Sequence, residues 1–123
     1  MYMREIGNRY EDIACDYLMK QGYKIVDRNY FIKGGEIDII AYDKNTLSFI
    51  EVKARRQKIF GSPLDSVNKA KQKRIIKSAL FYLKEKNIKP ENIRFDVLSI
   101  SDMDDKTEIE LIKNAFLTDG YFI

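Results

Sequence analysis

The stretch from Gly34 to Lys53, GGEIDIIAYDKNTLSFIEVK, constrains the fold more than any other part of the chain. Two apolar, β-branched runs flank Asp43-Lys44-Asn45-Thr46, four residues with turn chemistry, of which Asn45 tolerates the left-handed conformation. With Lys44 and Asn45 as a two-residue loop, Asp43 faces Thr46. In the same register Asp38 faces Glu51 and Glu36 faces Lys53. Directly opposed residues share a sheet face, with Cβ atoms about 4.5–5.5 Å apart. A slip by one residue would turn every side chain to the other face, so the expectation is sharp. Carboxylates that close repel each other unless a cation lies between them, and a charge on a buried sheet face is costly without a partner.

Composition limits the chemistry available to such a cluster. The 123 residues, 45% hydrophobic and 33% charged, suit one soluble globular domain spanning 1–123. Histidine is absent, which excludes His-based zinc sites and Ser-His-Asp or Cys-His triads. Chemistry falls to carboxylates, Lys, Arg, Tyr or the single Cys15, and carboxylate-rich oxygen sites suit Mg²⁺ or Mn²⁺. One cysteine forms no internal disulfide and suits a reducing cytoplasm. The acidic residues of the first twenty positions argue against an export signal, and no apolar run is long enough to span a membrane, so a cytoplasmic location is expected.

Net charge is +3, but its distribution says more: from Lys53 to Lys77 nine basic residues stand against one acid, Asp65. Beyond Ser101 the chain is acid-rich. A basic block directly after a carboxylate cluster is what a phosphodiester substrate needs, although a solvated basic helix face has the same composition.

Periodicity supplies the remaining elements. Residues 3–21 carry a helical stripe (Ile6, Tyr10, Ile13, Ala14, Tyr17, Leu18) stopped at Gly22, with Glu11 at the stripe's edge. Tyr23–Phe31, Glu36–Tyr42 and Leu47–Ala54 read as strands. Ser62-Pro63 suits a helix start, and a short turn over Pro63–Val67 leads into a helix over Asn68–Lys86. Its stripe is Ile75, Ile76, Ala79, Leu80 and Leu83, with Lys71 facing the sheet and Lys69, Lys73 and Lys77 facing outward. Ile93–Ser101 and Thr107–Lys113 follow as strands, and the aromatic end of the chain packs on the sheet edge. The order α-β-β-β-α-β plus a terminal strand gives an α/β (α+β) fold with a mixed sheet flanked by helices.

A metal on two carboxylates can ionise water and polarise a phosphate. Asp38 and Glu51 supply the carboxylates, and Lys53 shares the face of Glu51. The Val52 carbonyl is a further candidate ligand, and Glu11 could hold a second metal or its water. The competing reading for Asp38 and Glu51 is a solvated face or internal ion pairs such as Glu36 with Lys53; for Glu11 it is a surface carboxylate. Arg55, Arg56, Lys58, Lys69, Lys71, Lys73 and Arg74 are the candidates for contact with a nucleic-acid backbone, where they would position without reading sequence. For Lys71, a lysine snorkelling over the core is the alternative.

The order Glu11, then Gly35-Glu36-Ile37-Asp38, then Glu51-Val52-Lys53 resembles the PD-(D/E)xK pattern of the restriction-endonuclease-like superfamily, and within it the archaeal-type Holliday junction resolvases. With Gly7, Arg28-Asn29, Phe49-Ile50, Ala54-Arg55, Phe60-Gly61-Ser62-Pro63 and the Lys71–Leu83 helix, it is similar to the YraN, or UPF0102, family. One departure is that Ile37 stands where the superfamily has proline. The resemblance implies a nuclease-like fold acting on DNA, with Asp38 and Glu51 as metal ligands, Lys53 as the catalytic lysine and Glu11 as the resolvases' helix glutamate. Symmetric cleavage of a junction would call for a homodimer. Two further readings remain: a nucleic-acid-binding module without turnover, and a protein-interaction domain using the acidic tail and terminal aromatics.

Overall fold

Five strands form one sheet in sequential order, β1 (Lys24–Ile32), β2 (Gly35–Asp43), β3 (Thr46–Arg55), β4 (Asn92–Met103) and β5 (Lys106–Ile112). Helix α1 (Tyr2–Lys20) precedes them and α2 (Lys69–Glu85) lies between β3 and β4. The computed structural model describes residues 2–55, 67–103 and 105–117, with side chains for 9–55, 67–102 and 105–117. Arg56, Lys58, the Ser62-Pro63 start and most of the predicted turn lie outside them. No described helix is long and apolar enough to cross a membrane.

Three of the four strand pairings are antiparallel, whereas β3 and β4 run parallel over ten residue pairs. A parallel pair needs a long crossover, and α2 lies within it. The expected mixed sheet with flanking helices is therefore observed.

The two helices cover opposite faces. Tyr10, Ala14, Cys15 and Leu18 of α1 pack on Ile39, Ala41, Ile50, Leu98 and Ile100. Ile75, Ile76, Ala79 and Tyr82 of α2 pack on Ile37, Ile40, Phe49, Phe95 and Val97. Alternation along β3 and β4 sorts these residues, since successive side chains point to opposite faces. Phe116 continues the second core, its ring stacked 5.1 Å from Phe95.

Both helices end in Schellman caps. Gly22 takes φ +94°, with Gly22 N–H bonded to the Met19 carbonyl and Tyr23 N–H to that of Leu18. Asn87 does the same for α2 at φ +52°, where Ile88 N–H reaches the Leu83 carbonyl. Asn68 caps the start of α2, its side chain accepting from Lys71 N–H at 2.9 Å.

Three sequence expectations need correction. In the β2–β3 turn it is Lys44, at φ +56°, and not Asn45, that takes the left-handed conformation. On α2, Leu80 is 36% exposed while Tyr82 is buried, because the ring is anchored edge-on against both Tyr30 and Phe49. The predicted pairing of Asp43 with Thr46 holds through Ile39 with Ile50, but there the ladder stops. Asp38 and Glu51, and Glu36 and Lys53, are not ladder partners.

Candidate functional site

The site lies where β2 parts from β3. Ile37 and Ile39 are two residues apart and should share a face, yet Ile37 packs in the α2 core and Ile39 in the α1 core. The strand therefore rotates at Asp38. Opposite it on β1, between the Arg28–Ile39 and Tyr30–Ile37 pairs, Asn29 takes φ +52°. With the ladder ended, Val52 N–H has no β2 carbonyl, and the Asp38 carboxylate takes it instead, at 2.8 Å. N–H and C=O of one strand residue leave by the same edge, so the Val52 carbonyl faces the same opening.

Glu51 lies next along β3, on the α2 face, with 7% of its surface exposed. Two ammonium groups converge on its Oε1: Lys71 Nζ at 3.1 Å and Lys53 Nζ at 3.7 Å. Lys53 arrives by the period of the strand. Lys71 arrives by the close seat of α2, because a Cβ on Gly35 would fall on the Ser78 hydroxyl and 3.0 Å from the Arg74 carbonyl oxygen. The asparagine cap fixes the helix turn that carries Lys71.

These charges strain one another. Burial and the nearby Glu51 carboxylate push the Asp38 carboxyl up to about 7, against the pull of the Val52 N–H. Burial and the neighbouring Lys71 ammonium hold Lys53 below the ordinary lysine range. Burial pulls on Lys71 too, but its contacts with Lys53 and Glu51 raise it on balance.

Glu11 reaches the sheet from α1 as expected. Its Oε1 is buried, accepts no hydrogen bond among the described residues, and lies 3.5 Å from the Arg28 guanidinium. Arg28 also binds Asp12 at 2.9 Å. Among the described residues no three acidic, cysteine or histidine side chains gather as a metal cage, so Glu11 does not complete one with Asp38 and Glu51. Asp38 meets the Val52 backbone and Glu51 precedes Val52 on β3, so two carboxylates stand near the end of the ladder. Hard oxygen donors are what Mg²⁺ or Mn²⁺ accepts, and the chemistry of the Asp38 and Glu51 carboxylates and the Val52 carbonyl suits such an ion.

Of the predicted backbone-contact residues, Lys69, Lys73 and Arg74 are exposed on α2, Arg55 is half-buried at the end of β3, and Lys71 belongs to the carboxylate cluster itself. A cavity of about 430 Å³ opens beside Glu51, with Lys71 and Arg74 on one wall and Phe31 and Glu36 on another.

A second polar cluster escaped the sequence reading. Asp96 is fully buried and accepts from Ser48 Oγ at 2.5 Å, Arg94 Nε at 2.8 Å and Asn114 N–H at 2.8 Å. Arg94 goes on to Tyr23 Oη at 2.7 Å and Asp43 at 2.9 Å, and Lys113 reaches Asp43 at 3.3 Å. Burial and Asp96 raise the Tyr23 phenol, and Asp96 and Asp43 hold the Arg94 proton more firmly despite its burial. The signal in the sequence was the alternation Arg94-Phe95-Asp96-Val97, which puts two opposite charges on one face of a strand with buried neighbours. Every carboxylate oxygen of Asp96 has partners, which is the pattern of a structural network.

Residues 10–100 match the family described as "Uncharacterised protein family UPF0102". A UPF0102 protein of Desulfosudis oleivorans is 48% identical over 113 residues, covering 92% of this chain and 90% of the relative. A UPF0102 protein of Clostridium tetani is 45% identical over 117 residues, covering 94% and 96%. One from Syntrophotalea carbinolica is 42% identical over 116 residues, covering 94% of each. With a family match over most of its length and full-length relatives at this identity, the chain belongs to the UPF0102 family.

Proposed function

We propose that this protein is a metal-dependent nuclease of the restriction-endonuclease-like kind, hydrolysing phosphodiesters in DNA. The observation that carries the reading is the Asp38 carboxylate set into the β2–β3 opening beside Glu51 and its two lysines. A structural role would favour pairing the ladder to its end and keeping Asp38 out of contact with a second carboxylate. Asp38, Glu51 and the Val52 carbonyl would hold Mg²⁺ or Mn²⁺, which supplies Lewis acidity toward the phosphoryl oxygens and ionises water near neutrality. Lys53 and Lys71 then place positive charge where the phosphate accumulates negative charge. Their competition for Glu51 keeps both ammonium groups at the site before substrate arrives. Lys69, Lys73 and Arg74, exposed on the same helix, attract the backbone without selecting sequence.

The reading is tested by incubating the purified protein with branched, flapped and linear DNA in Mg²⁺ or Mn²⁺, beside Asp38→Asn, Glu51→Gln and Lys53→Ala. Cleavage is expected in the wild type, is lost in both carboxylate variants, and drops about 10²–10³-fold in Lys53→Ala, the scale of removing one charge-stabilising donor. Cleavage persisting in both carboxylate variants would sink the assignment.

One observation favours a second reading, a nucleic-acid-binding module without turnover. Two lysines already balance the two carboxylates, and no third acidic ligand joins them among the described residues. That reading predicts salt-sensitive DNA binding, no Mn²⁺ uptake by calorimetry and no cleavage of any substrate.

A further inference from the structure

The cavity beside Glu51 has a chemistry that phosphate binding leaves unused. Phe31 is the most exposed large apolar side chain among the described residues, at 65%. It makes no ring–ring contact there, although Tyr30 beside it is packed against Tyr82. Its cross-strand partner is Glu36, and both residues line the cavity together with Gly34 and Gly35. Across the cavity stand Lys71 and Arg74, three residues apart on α2 and so on one side of the helix. Glu51 borders the same space. At about 430 Å³ the cavity falls within the range of small-ligand pockets, about 300–1,000 Å³.

We infer that this cavity is a subsite for one unpaired nucleotide of the substrate strand, its base stacked on Phe31 and its phosphate drawn to Lys71 and Arg74. The inference rests on the nuclease reading of the adjacent site and names the substrate class: DNA with a single-stranded stretch at the scissile position. A base inside a duplex has both faces covered by its neighbours, so an aromatic ring in a pocket meets a base face only when that base is out of the stack. Stacking one base on an aromatic side chain is worth roughly 5- to 150-fold in affinity. Extracting a paired base costs a comparable amount, so a base already unpaired enters and a paired one stays out. The cations on one wall and the apolar ring on the other match the two halves of a nucleotide.

The chain has no tryptophan, so Phe31→Trp places a single reporter in the cavity. The experiment titrates this variant with oligothymidylate and with a blunt duplex, in buffer containing EDTA, and follows tryptophan emission. In parallel, anisotropy of labelled oligothymidylate is measured for the wild type, Phe31→Ala and Phe81→Ala, the last an exposed ring on α2 that does not line the cavity. Expected are quenching by oligothymidylate but not by duplex, about tenfold weaker binding by Phe31→Ala, and wild-type binding by Phe81→Ala. Wild-type affinity in Phe31→Ala, equal loss in Phe81→Ala, or no oligothymidylate binding by the wild type overturns the inference. If Phe31-dependent binding holds and no DNA is cleaved in Mg²⁺ or Mn²⁺, the nuclease reading falls and the subsite stands. If DNA is cleaved with no dependence on Phe31, the reverse is true.

Discussion

At the scale of single residues, Asp38 is held where its charge is unwelcome. Burial and Glu51 push its carboxyl up to about 7 from an ordinary 3.8. A carboxyl whose folded value is raised makes the fold less stable as pH rises from about 4 to about 7, since the unfolded chain releases that proton first. Above about 7 the penalty is complete. Asp38→Asn keeps an acceptor for Val52 N–H and removes the charge. It should therefore raise stability at pH 8 by on the order of 1–3 kcal/mol, and add nothing at pH 4. Thermal melts of both proteins at the two pH values check this, and equal melting temperatures at pH 8 would mean that water screens the pair. Under the proposed nuclease reading, a gain in stability on losing this carboxylate would mark Asp38 as kept for function.

At the scale of elements, the seat of α2 on β2 decides whether Lys71 reaches Glu51. Gly35 is small for reasons of space: its backbone does not need a positive φ, but a Cβ there has no room under Ser78 and Arg74. Gly34, at φ +90°, is the residue whose conformation the β1–β2 turn requires. Gly35→Ala should lift α2 from the sheet and cost about 1–3 kcal/mol, the range for overpacking. Adding Ser78→Ala should recover part of that, while the Arg74 carbonyl still obstructs the methyl group. Urea unfolding of the two single variants and the double variant measures the coupling; independent, additive losses would show that the helix and strand do not meet there.

At the scale of the whole molecule, the Arg94–Asp96 network ties together parts of the chain that the core alone does not fix. Tyr23 enters from the end of the α1 cap, Asp43 from β2, Ser48 from β3, and Lys113 and Asn114 from beyond β5. Arg94→Met would leave a fully buried carboxylate without its cation. The expected loss is about 3–5 kcal/mol by urea unfolding. Asp43 adds a pH dependence of the opposite sign to that of Asp38. Burial alone would raise its carboxyl, but Arg94 and Lys113 outweigh this and hold it below 3.8. Its contribution is complete above about pH 4 and fades as pH falls through the depressed value. Asp43→Asn should consequently flatten the acid limb of the stability profile.

The sequence by itself determined the elements and placed most of the candidate site's residues along the chain. Alternating and helical periods are local properties, so the strands, the helices, the Gly22 stop and the α2 start at Asn68 were legible to within a residue or two. The two-residue turn set the β2–β3 register, and the period of β3 placed Glu51 and Lys53 on one face. Tertiary structure alone decided three things. It ended the ladder at Ile39 and Ile50 and turned Asp38 onto Val52 N–H, because the rotation of β2 depends on packing two cores at once. It brought Lys71 across from α2 to share Glu51, a contact set by the room that Gly35 leaves. It also closed the Asp96 network, whose partners are up to 73 positions away in the chain. Such contacts depend on how faces meet, and no local pattern records that.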